Sequence, residues 1–141
     1  DNGQPLHRGD AGDGGPDLDL AGTFVDEASE GLGGIPEWKG QLGLRWKRER
    51  WLASYDIHHV SALNETVPGT TETREIDSWT VHDMQVSYVF DVLSGLRLTL
   101  GIDNLFDQAA PLAASAFNDN IDARTHELRG RFWYTRISQR F

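Results

Sequence analysis

Residues 128–141 read Leu-Arg-Gly-Arg-Phe-Trp-Tyr-Thr-Arg-Ile-Ser-Gln-Arg-Phe, and this stretch decides the fold. Its side chains alternate in character. The mostly apolar set consists of Trp133, Thr135, Ile137, Gln139 and Phe141. The other set includes Arg136 and Arg140. Because successive side chains of a strand point to opposite faces, the pattern predicts a β-strand with one apolar and one charged face.

The same alternation occurs upstream. Six segments are predicted strands, separated by connections rich in breakers and polar residues: 17–25, 37–47, 51–61, 78–90, 95–103 and 127–141. Residues 1–16 hold too many glycines and prolines for a regular element and are expected to be a turn or a disordered lead-in. The connections alternate in length: 48–50 and 91–94 are short, whereas 26–36, 64–77 and 104–126 are long. Short turns at one end and long loops at the other are typical of membrane barrels.

Hydropathy bears on how this chain could cross a membrane. No stretch approaches the roughly 18 apolar residues of a transmembrane helix. A transmembrane strand needs only about 9 to 11 residues, half of which can be polar. The sequence therefore excludes a helical span and remains compatible with a transmembrane β-barrel.

Charge and cysteine content exclude other classes. The net charge is −9, and residues 1–37 carry nine acidic residues against one basic residue, Arg8. Nucleic-acid binding requires a positive face, so no nucleic-acid partner is expected. Without cysteine, disulfides and thiolate metal sites are excluded. Residues 1–15 are polar and unlike a signal peptide, so the export signal of a secreted protein is expected upstream.

Two motifs near the C-terminus carry a family resemblance. Residues 101–107 read Gly-Ile-Asp-Asn-Leu-Phe-Asp, and after a long polar loop residues 130–134 read Gly-Arg-Phe-Trp-Tyr before the terminal Arg140 and Phe141. This combination closely resembles the C-terminal end of TonB-dependent outer-membrane receptors. Its most specific part is the run Asn104, Leu105, Phe106 and Asp107. Residues 35–40, Ile-Pro-Glu-Trp-Lys-Gly, are similar to the entry of an earlier strand in that family, and the resemblance covers about residues 17–141.

The resemblance implies an all-β fold: part of an antiparallel transmembrane barrel, with about six strands in three hairpins. In the family a plug domain fills a 22-stranded barrel. Since open strand edges are not tolerated in lipid, residues 17–141 would be incomplete without the rest of the receptor. Implied partners are outer-membrane lipid, the remaining strands and plug, the TonB motor acting through the plug, and the barrel-assembly machinery, which would read a signal formed by Phe141, Trp133 and Ile137.

The implied function is energy-coupled import of a scarce solute, such as a ferric siderophore, cobalamin or an oligosaccharide, across the bacterial outer membrane. Two alternatives remain open at this point. One is a passive porin-like or adhesive barrel, and the other is a soluble extracellular binding β-sheet domain. Upstream sequence encoding a plug and a coupling box would favour the receptor.

Few residues are candidates for chemistry. Asp56 and His58 share one face of a predicted strand and could bind a metal or a solute. The acidic residues Asp10, Asp13, Asp17 and Asp19 could offer oxygen ligands to calcium, although their spacing fits no EF-hand. The loop residues with ligand-contact potential are Phe117, Asn118, Asp119 and Asn120.

No catalytic set is predicted. His82 and Asp83 are neighbours that face opposite sides of a strand, and no serine lies in a nucleophile-elbow motif. An enzyme, a bound cofactor and a resident metal are therefore not expected. The five tryptophans are expected in aromatic girdles at the membrane boundary: Trp38, Trp46, Trp51, Trp79 and Trp133.

Overall fold

The computed structural model describes residues 19–25, 33–91, 95–116 and 119–139. These residues form nine β-strands: β1 Thr23–Val25, β2 Gly33–Ile35, β3 Lys39–Arg48, β4 Trp51–Val60, β5 Leu63–Thr66, β6 Thr73–Ile76, β7 Trp79–Phe90, β8 Leu96–Asp103 and β9 Phe132–Ser138. Among the described residues there is no helix of the length and apolar character needed to cross a membrane. The predicted all-β class is confirmed.

Five strands form one antiparallel sheet, the long sheet, in the order β3-β4-β7-β8-β9. Its strands correspond to five of the six predicted segments, and β3, β4 and β7 are ten to twelve residues long. Within the described part of the chain, β3 and β9 each have an unpaired edge, so the sheet does not close on itself. An open antiparallel sheet of long strands is what a portion of a barrel provides.

The other four strands form the short sheet, in the order β2-β1-β5-β6. Here the sequence prediction was wrong in two respects. Segment 17–25 contributes only β1, which runs parallel to β5 and does not join the long sheet. Connection 64–77 is mostly the hairpin β5–β6 and not an irregular loop. The physical reason is continuity of the chain, since two residues on each side link this hairpin to β4 and β7.

The two ends of the long sheet differ. At the turn end, Glu49 and Arg50 alone connect β3 to β4, with Glu49 in the left-handed region at φ 51°. Arg50 forms an ion pair with Asp91, which begins the neighbouring turn. At the loop end lie the short sheet and residues 104–131, which connect β8 to β9. The last predicted strand starts later than expected, at Phe132 instead of residue 127.

A compact core lies at the loop end, between the short sheet and residues 104–131. Its buried apolar side chains are Phe24, Leu63, Ile76, Ala113 and Ala116. Because Ala113 and Ala116 place the connection between β8 and β9 on this core, we call residues 104–131 the docked loop. The long connection is therefore a packed part of the fold and not a spacer.

Candidate functional site

The long sheet has one apolar face, as the alternation predicts. Cross-strand pairing places Leu44 beside Tyr55, Tyr55 beside Met84, and Met84 beside Ile102. Leu44, Leu100 and Ile137 are each more than half exposed. Exposed apolar side chains that continue across five strands form a patch suited to an apolar environment.

Aromatic side chains border this apolar face at both ends. At the turn end, the ring of Trp51 packs edge-on against Tyr88 at 4.8 Å. At the loop end, Trp38 stacks on His59 with 4.4 Å between ring centroids, and Tyr55 hydrogen-bonds His82. Two aromatic bands on either side of an aliphatic zone match the girdles of membrane barrels.

Trp79 does not belong to a girdle, so that part of the prediction was wrong. The side chain is buried with Val60 and Val81 on the opposite, polar face of the long sheet. The reason is its register: Trp79 begins β7 and pairs with Val60, which shares the face of His58. The docked loop covers it there through His126, whose ring lies edge-on at 5.6 Å.

The polar face carries a cluster of charges near its middle. Asp56 and Asp83 are direct cross-strand neighbours. Two like charges directly opposite each other destabilise a sheet unless each charge is compensated. Arg45 Nη2 lies 2.8 Å from Asp56 Oδ1, and His58 Nε2 lies 3.3 Å from Asp83 Oδ2. The predicted pair Asp56 and His58 therefore shares a face, but each side chain bonds to a different partner.

The motif at 104–107 shapes the start of the docked loop. Asn104 is buried at φ 52°, and its side chain exchanges two hydrogen bonds with the backbone of Gln108. Its own N–H donates to Asp83 Oδ1 at 2.8 Å. These bonds turn the chain away from β8 and connect the motif to the polar face.

The same motif joins the two ends of the docked loop. Asp107 Oδ1 accepts a hydrogen bond from the backbone N–H of Arg131 at 2.8 Å, directly before β9. Phe106 projects from the turn and packs edge-on against His82 at 5.0 Å. The motif thus positions the last loop and the last strand, a role that the resemblance alone did not specify.

A buried carboxylate holds the middle of the docked loop. The Glu65 side chain is 0% exposed and lies 2.7 Å from Arg74 Nη2. It also accepts hydrogen bonds from the backbone N–H groups of Ala114 and Ser115, at 3.0 and 2.9 Å. Arg74 donates in turn to the carbonyl of Leu112. Three donors compensate the buried charge, and the loop is thereby joined to the hairpin β5–β6.

A second buried carboxylate, Asp122, joins the loop to β2. It accepts hydrogen bonds from the backbone N–H groups of Gly34, at 3.2 Å, and Arg124, at 3.0 Å. Its backbone carbonyl accepts from the N–H groups of Thr125 and His126. Residues 122–126 therefore form a tight turn at a fixed distance from the short sheet.

Residues 123–127 form one wall of an open cavity of about 590 Å³ on the polar face. Four side chains carry its charge: Lys39 and Arg124 are basic, and Asp83 and Glu127 are acidic. The deeper wall includes Val60, Val81, Trp79 and His126. A concave space with apolar walls and a few polar groups is the usual form of a solute site.

His126 is the buried titratable group of this cavity. Burial lowers the pKa of His126 below its ordinary value, against the opposing effect of the nearby Asp122. Its Nδ1 and the Trp79 Nε1 have no hydrogen-bond partner among the described residues, although both atoms are buried. The imidazole is therefore neutral near pH 7.

The predicted loop contact is described only in part. Asp119 and Asn120 form a left-handed turn, at φ 52° and 56°, and the Asn120 carbonyl accepts from Ala113 N–H. Phe117 and Asn118 lie outside the described residues. In the predicted acidic cluster, Asp10, Asp13 and Asp17 also lie outside, and Asp19 accepts a local hydrogen bond from Ala21. No group of three metal-binding side chains occurs in the part of the chain that the structure describes.

The predicted assembly signal is also only partly described. Trp133 is 71% exposed and Ile137 is 69% exposed, both on the apolar face of β9. Phe141 lies outside the described residues.

Sequence reasoning missed Glu65, Asp122, Trp79 and His126 as loop-end residues. The sequence could have indicated that Glu65 is buried, because Glu65 alternates in phase with Leu63 and so shares the buried face of β5. No local signal indicates Asp122 or His126, because their partners are distant in sequence.

One protein-family model matches the chain, the TonB dependent receptor-like β-barrel, over residues 6–105. No curated protein and no solved structure matches it. The matched residues make up more than half of the chain and include β1 to β8, and β9 extends the same antiparallel sheet beyond them. The chain therefore belongs to the family of TonB dependent receptor-like β-barrels.

Proposed function

We propose that this chain is part of the wall and extracellular loops of an energy-coupled receptor that imports a scarce solute across the bacterial outer membrane. The observation that carries the proposal is the two-faced long sheet, apolar and exposed on one side and charged on the other. Family membership gives the receptor class, and the geometry supports a strand arrangement suited to lipid on one face.

In this proposal the open edges of β3 and β9 pair with the remaining strands of the same receptor. Unpaired N–H and C=O groups on either edge would each cost several kcal/mol in hydrocarbon, on the order of the penalty for a buried unpaired polar group. A plug domain would then contact the polar face, where Asp56 and Asp83 meet Arg45 and His58. The TonB motor would act on that plug and not on this chain directly.

The docked loop and the short sheet would face the outside, and the opposite end of the long sheet, with Glu49, Arg50 and Asp91, would face the periplasm. The cavity under residues 122–126 opens on the polar face and is the solute contact that we propose for this part of the receptor. Residues 117–120 of the same loop remain candidates for further contact with the solute. Ferric siderophores, cobalamin and oligosaccharides are the solute classes to examine first.

Insertion into the membrane would depend on the last strand. Trp133, Ile137 and Phe141 alternate on one face, and we propose that the barrel-assembly machinery reads them as its signal. Deleting Phe141 is then expected to reduce the amount of receptor in the outer membrane far more than it lowers the unfolding midpoint of the inserted fraction. Normal outer-membrane yield would contradict this role.

Binding to the motor tests the function without knowledge of the solute. The intact receptor, encoded by the full reading frame, is purified in detergent and mixed with the periplasmic domain of TonB. We expect a specific complex that is lost when the segment upstream of the plug is deleted. A passive porin-like or adhesive barrel would bind no TonB and would instead conduct ions in a planar bilayer or show no transport. A soluble binding domain would need no detergent.

A further inference from the structure

Residues 119–127 of the docked loop form a strap over the cavity on the polar face. Asp122 attaches this strap to β2 through the Gly34 N–H. The Thr125 hydroxyl donates to the Gly34 carbonyl at 3.5 Å. At the other end of the strap, the His126 ring packs edge-on against Trp79, at the floor of the cavity. The position of the strap against the long sheet therefore depends on whether His126 stays in its buried place.

The surroundings of His126 suit an uncharged ring and not a cation. The residue is 4% exposed, and its Nδ1 has no hydrogen-bond partner among the described residues. The apolar walls of the cavity are the side chains of Val60 and Val81, next to Trp79. A buried charge without a hydrogen bond is costly, so a protonated His126 gains by moving into water.

Charged or titratable groups lie around this ring on the strap itself and on β3, β4 and β7, and His59 of β4 also lines the cavity. Asp122, on the strap itself, favours the protonated form, and Lys39, at the start of β3, opposes it. His58 of β4 and Asp83 of β7 line the same cavity and are paired with each other. Arg124 and Glu127, of opposite sign, adjoin the ring on the strap. The balance favours the neutral ring, since burial and the charge of Lys39 together lower the pKa of His126 more than Asp122 raises it.

We propose that His126 is a pH-sensitive latch that keeps the strap over the cavity at neutral pH and releases it when the medium is acidified. In the closed state the pKa lies below the ordinary histidine value of about 6.5, which the released side chain regains. The open state therefore binds more protons, and its population rises as the pH falls below about 6.5. Protonation of a buried histidine is a general means of switching an interface.

The latch goes beyond the proposed import function, because it concerns access to the cavity and not the transported solute. The loop end would be exposed to the external medium, whose pH varies, only if the proposed orientation is right. The test below measures opening of the strap directly. A failed import assay would therefore leave the labelling result unchanged, and a failed labelling test would leave the import function unchanged.

Thiol labelling measures the opening. The chain has no cysteine, so Val81→Cys puts a single thiol of this chain in the cavity wall, at a side chain that is 5% exposed. The intact receptor, free of other cysteines, is labelled in outer-membrane vesicles with a methanethiosulfonate reagent at about pH 7.5 and about pH 5, the range in which histidine titrates. Each rate is divided by that of the exposed Thr71→Cys thiol at the same pH, which corrects for the reactivity of the reagent.

We expect the corrected Val81→Cys rate to rise about tenfold over this range, and the rise to disappear in the added variant His126→Gln. His82→Gln, a histidine on the apolar face that does not line the cavity, is the matched control and should keep the rise. Ser87→Cys, buried near the turn end, reports general loosening and should show no rise. If His126→Gln fails to assemble, His126→Phe replaces it, since that ring also packs on Trp79 and does not titrate.

The proposal is overturned if the corrected Val81→Cys rate is the same at both pH values. It is equally overturned if His126→Gln or His126→Phe retains the rise, because another group would then control the strap. An equal rise at Ser87→Cys would mean that acid loosens the whole sheet and that no latch exists.

Discussion

The long sheet and the short sheet are stabilised in different ways. In the long sheet, Leu44, Leu100 and Ile137 extend into open space from the apolar face. In the short sheet, Phe24, Leu63 and Ile76 are almost completely buried under the docked loop. Burial of apolar area is the main favourable term in folding. The short sheet therefore carries its own core, whereas the apolar face of the long sheet is left exposed, and in our proposal lipid covers it.

The charged groups of the two regions also differ in their exposure. On the long sheet the charged pairs are partly exposed, as with Arg45 and Asp56, and such pairs contribute little to stability. At the short sheet, Glu65 of β5 and Asp122 of the docked loop are buried and connect segments far apart in the chain. Removing one buried partner leaves the other groups without compensation. The two regions should therefore respond oppositely to charge removal and charge insertion.

The largest effect is expected from Glu65→Ala. Loss of the carboxylate leaves Arg74 and the N–H groups of Ala114 and Ser115 without their acceptor, at a cost of about 3 to 5 kcal/mol. We expect the docked loop to become sensitive to protease while the long sheet remains folded in detergent. Limited proteolysis with mapping of the cleavage sites provides the measurement. Glu75→Ala, an exposed glutamate on the same hairpin, is the control, and equal sensitivity in both variants would contradict the role of Glu65.

The next effect concerns the long sheet. Leu44→Arg places a charge near the middle of the apolar face. A charge on the lipid-facing side of a barrel costs about 2 to 4 kcal/mol at the middle of a bilayer. Gln41→Arg, on the same strand but on the polar face, should be tolerated. The yield of assembled receptor in the outer membrane and its denaturant midpoint would be compared. A similar loss in both variants would show that the two faces of β3 see the same environment.

A smaller effect is expected from adding a methyl group at Gly34, and almost none from adding one at Gly40. A Cβ at Gly34 would lie 2.6 Å from Asp122 Oδ2 and 2.9 Å from Thr125 Oγ1, so Gly34→Ala should displace the loop at a cost of about 1 to 3 kcal/mol. A Cβ at Gly40 would approach only the Trp38 ring, at 3.3 Å, and Gly40→Ala should be nearly neutral. Hydrogen exchange of residues 119–127 would report the difference. Equal protection in both variants would mean that the Asp122 contact does not hold the strap.

The smallest effect is a dependence on pH confined to the docked loop. Since burial lowers the pKa of His126, its contribution to loop stability is present above about pH 6.5 and is lost as the pH falls from there towards the lowered value. Hydrogen exchange at a series of pH values, corrected for intrinsic rates, should show loss of protection at residues 122–126 before the long sheet changes. Simultaneous loss of protection in the docked loop and in the long sheet would contradict a pH dependence confined to the loop.

The sequence predicted the long sheet well because its information is local. Alternation along residues 39–48 and 96–103 assigns both faces, and the register follows once the turns are short. The motif at 104–107 located the start of the last loop, although its hydrogen bonds to Gln108 and Arg131 could not be read from the chain.

The loop end was predicted poorly because its order depends on distant contacts. Segment 17–25 was predicted as one strand, yet among its described residues, 19–25, only Thr23–Val25 forms a strand, between β2 and β5. Trp79 has the composition of a girdle residue, but its register places it under His126. Asp122 and Gly34 are 88 residues apart, so no pattern in either segment indicates their contact. The cavity next to these residues could therefore not be predicted from the sequence.

Contact between the apolar face of the long sheet and lipid is the central proposal for this protein. Spin labels placed singly along residues 40–47 of the intact, membrane-inserted receptor test this directly, by comparing collision rates with oxygen and with a water-soluble nickel complex. We predict oxygen-dominated collisions at positions 42, 44 and 46, and lower values of the same ratio at positions 41, 45 and 47, with a period of two. A ratio without that period, or nickel-dominated collisions at every position, would contradict the account.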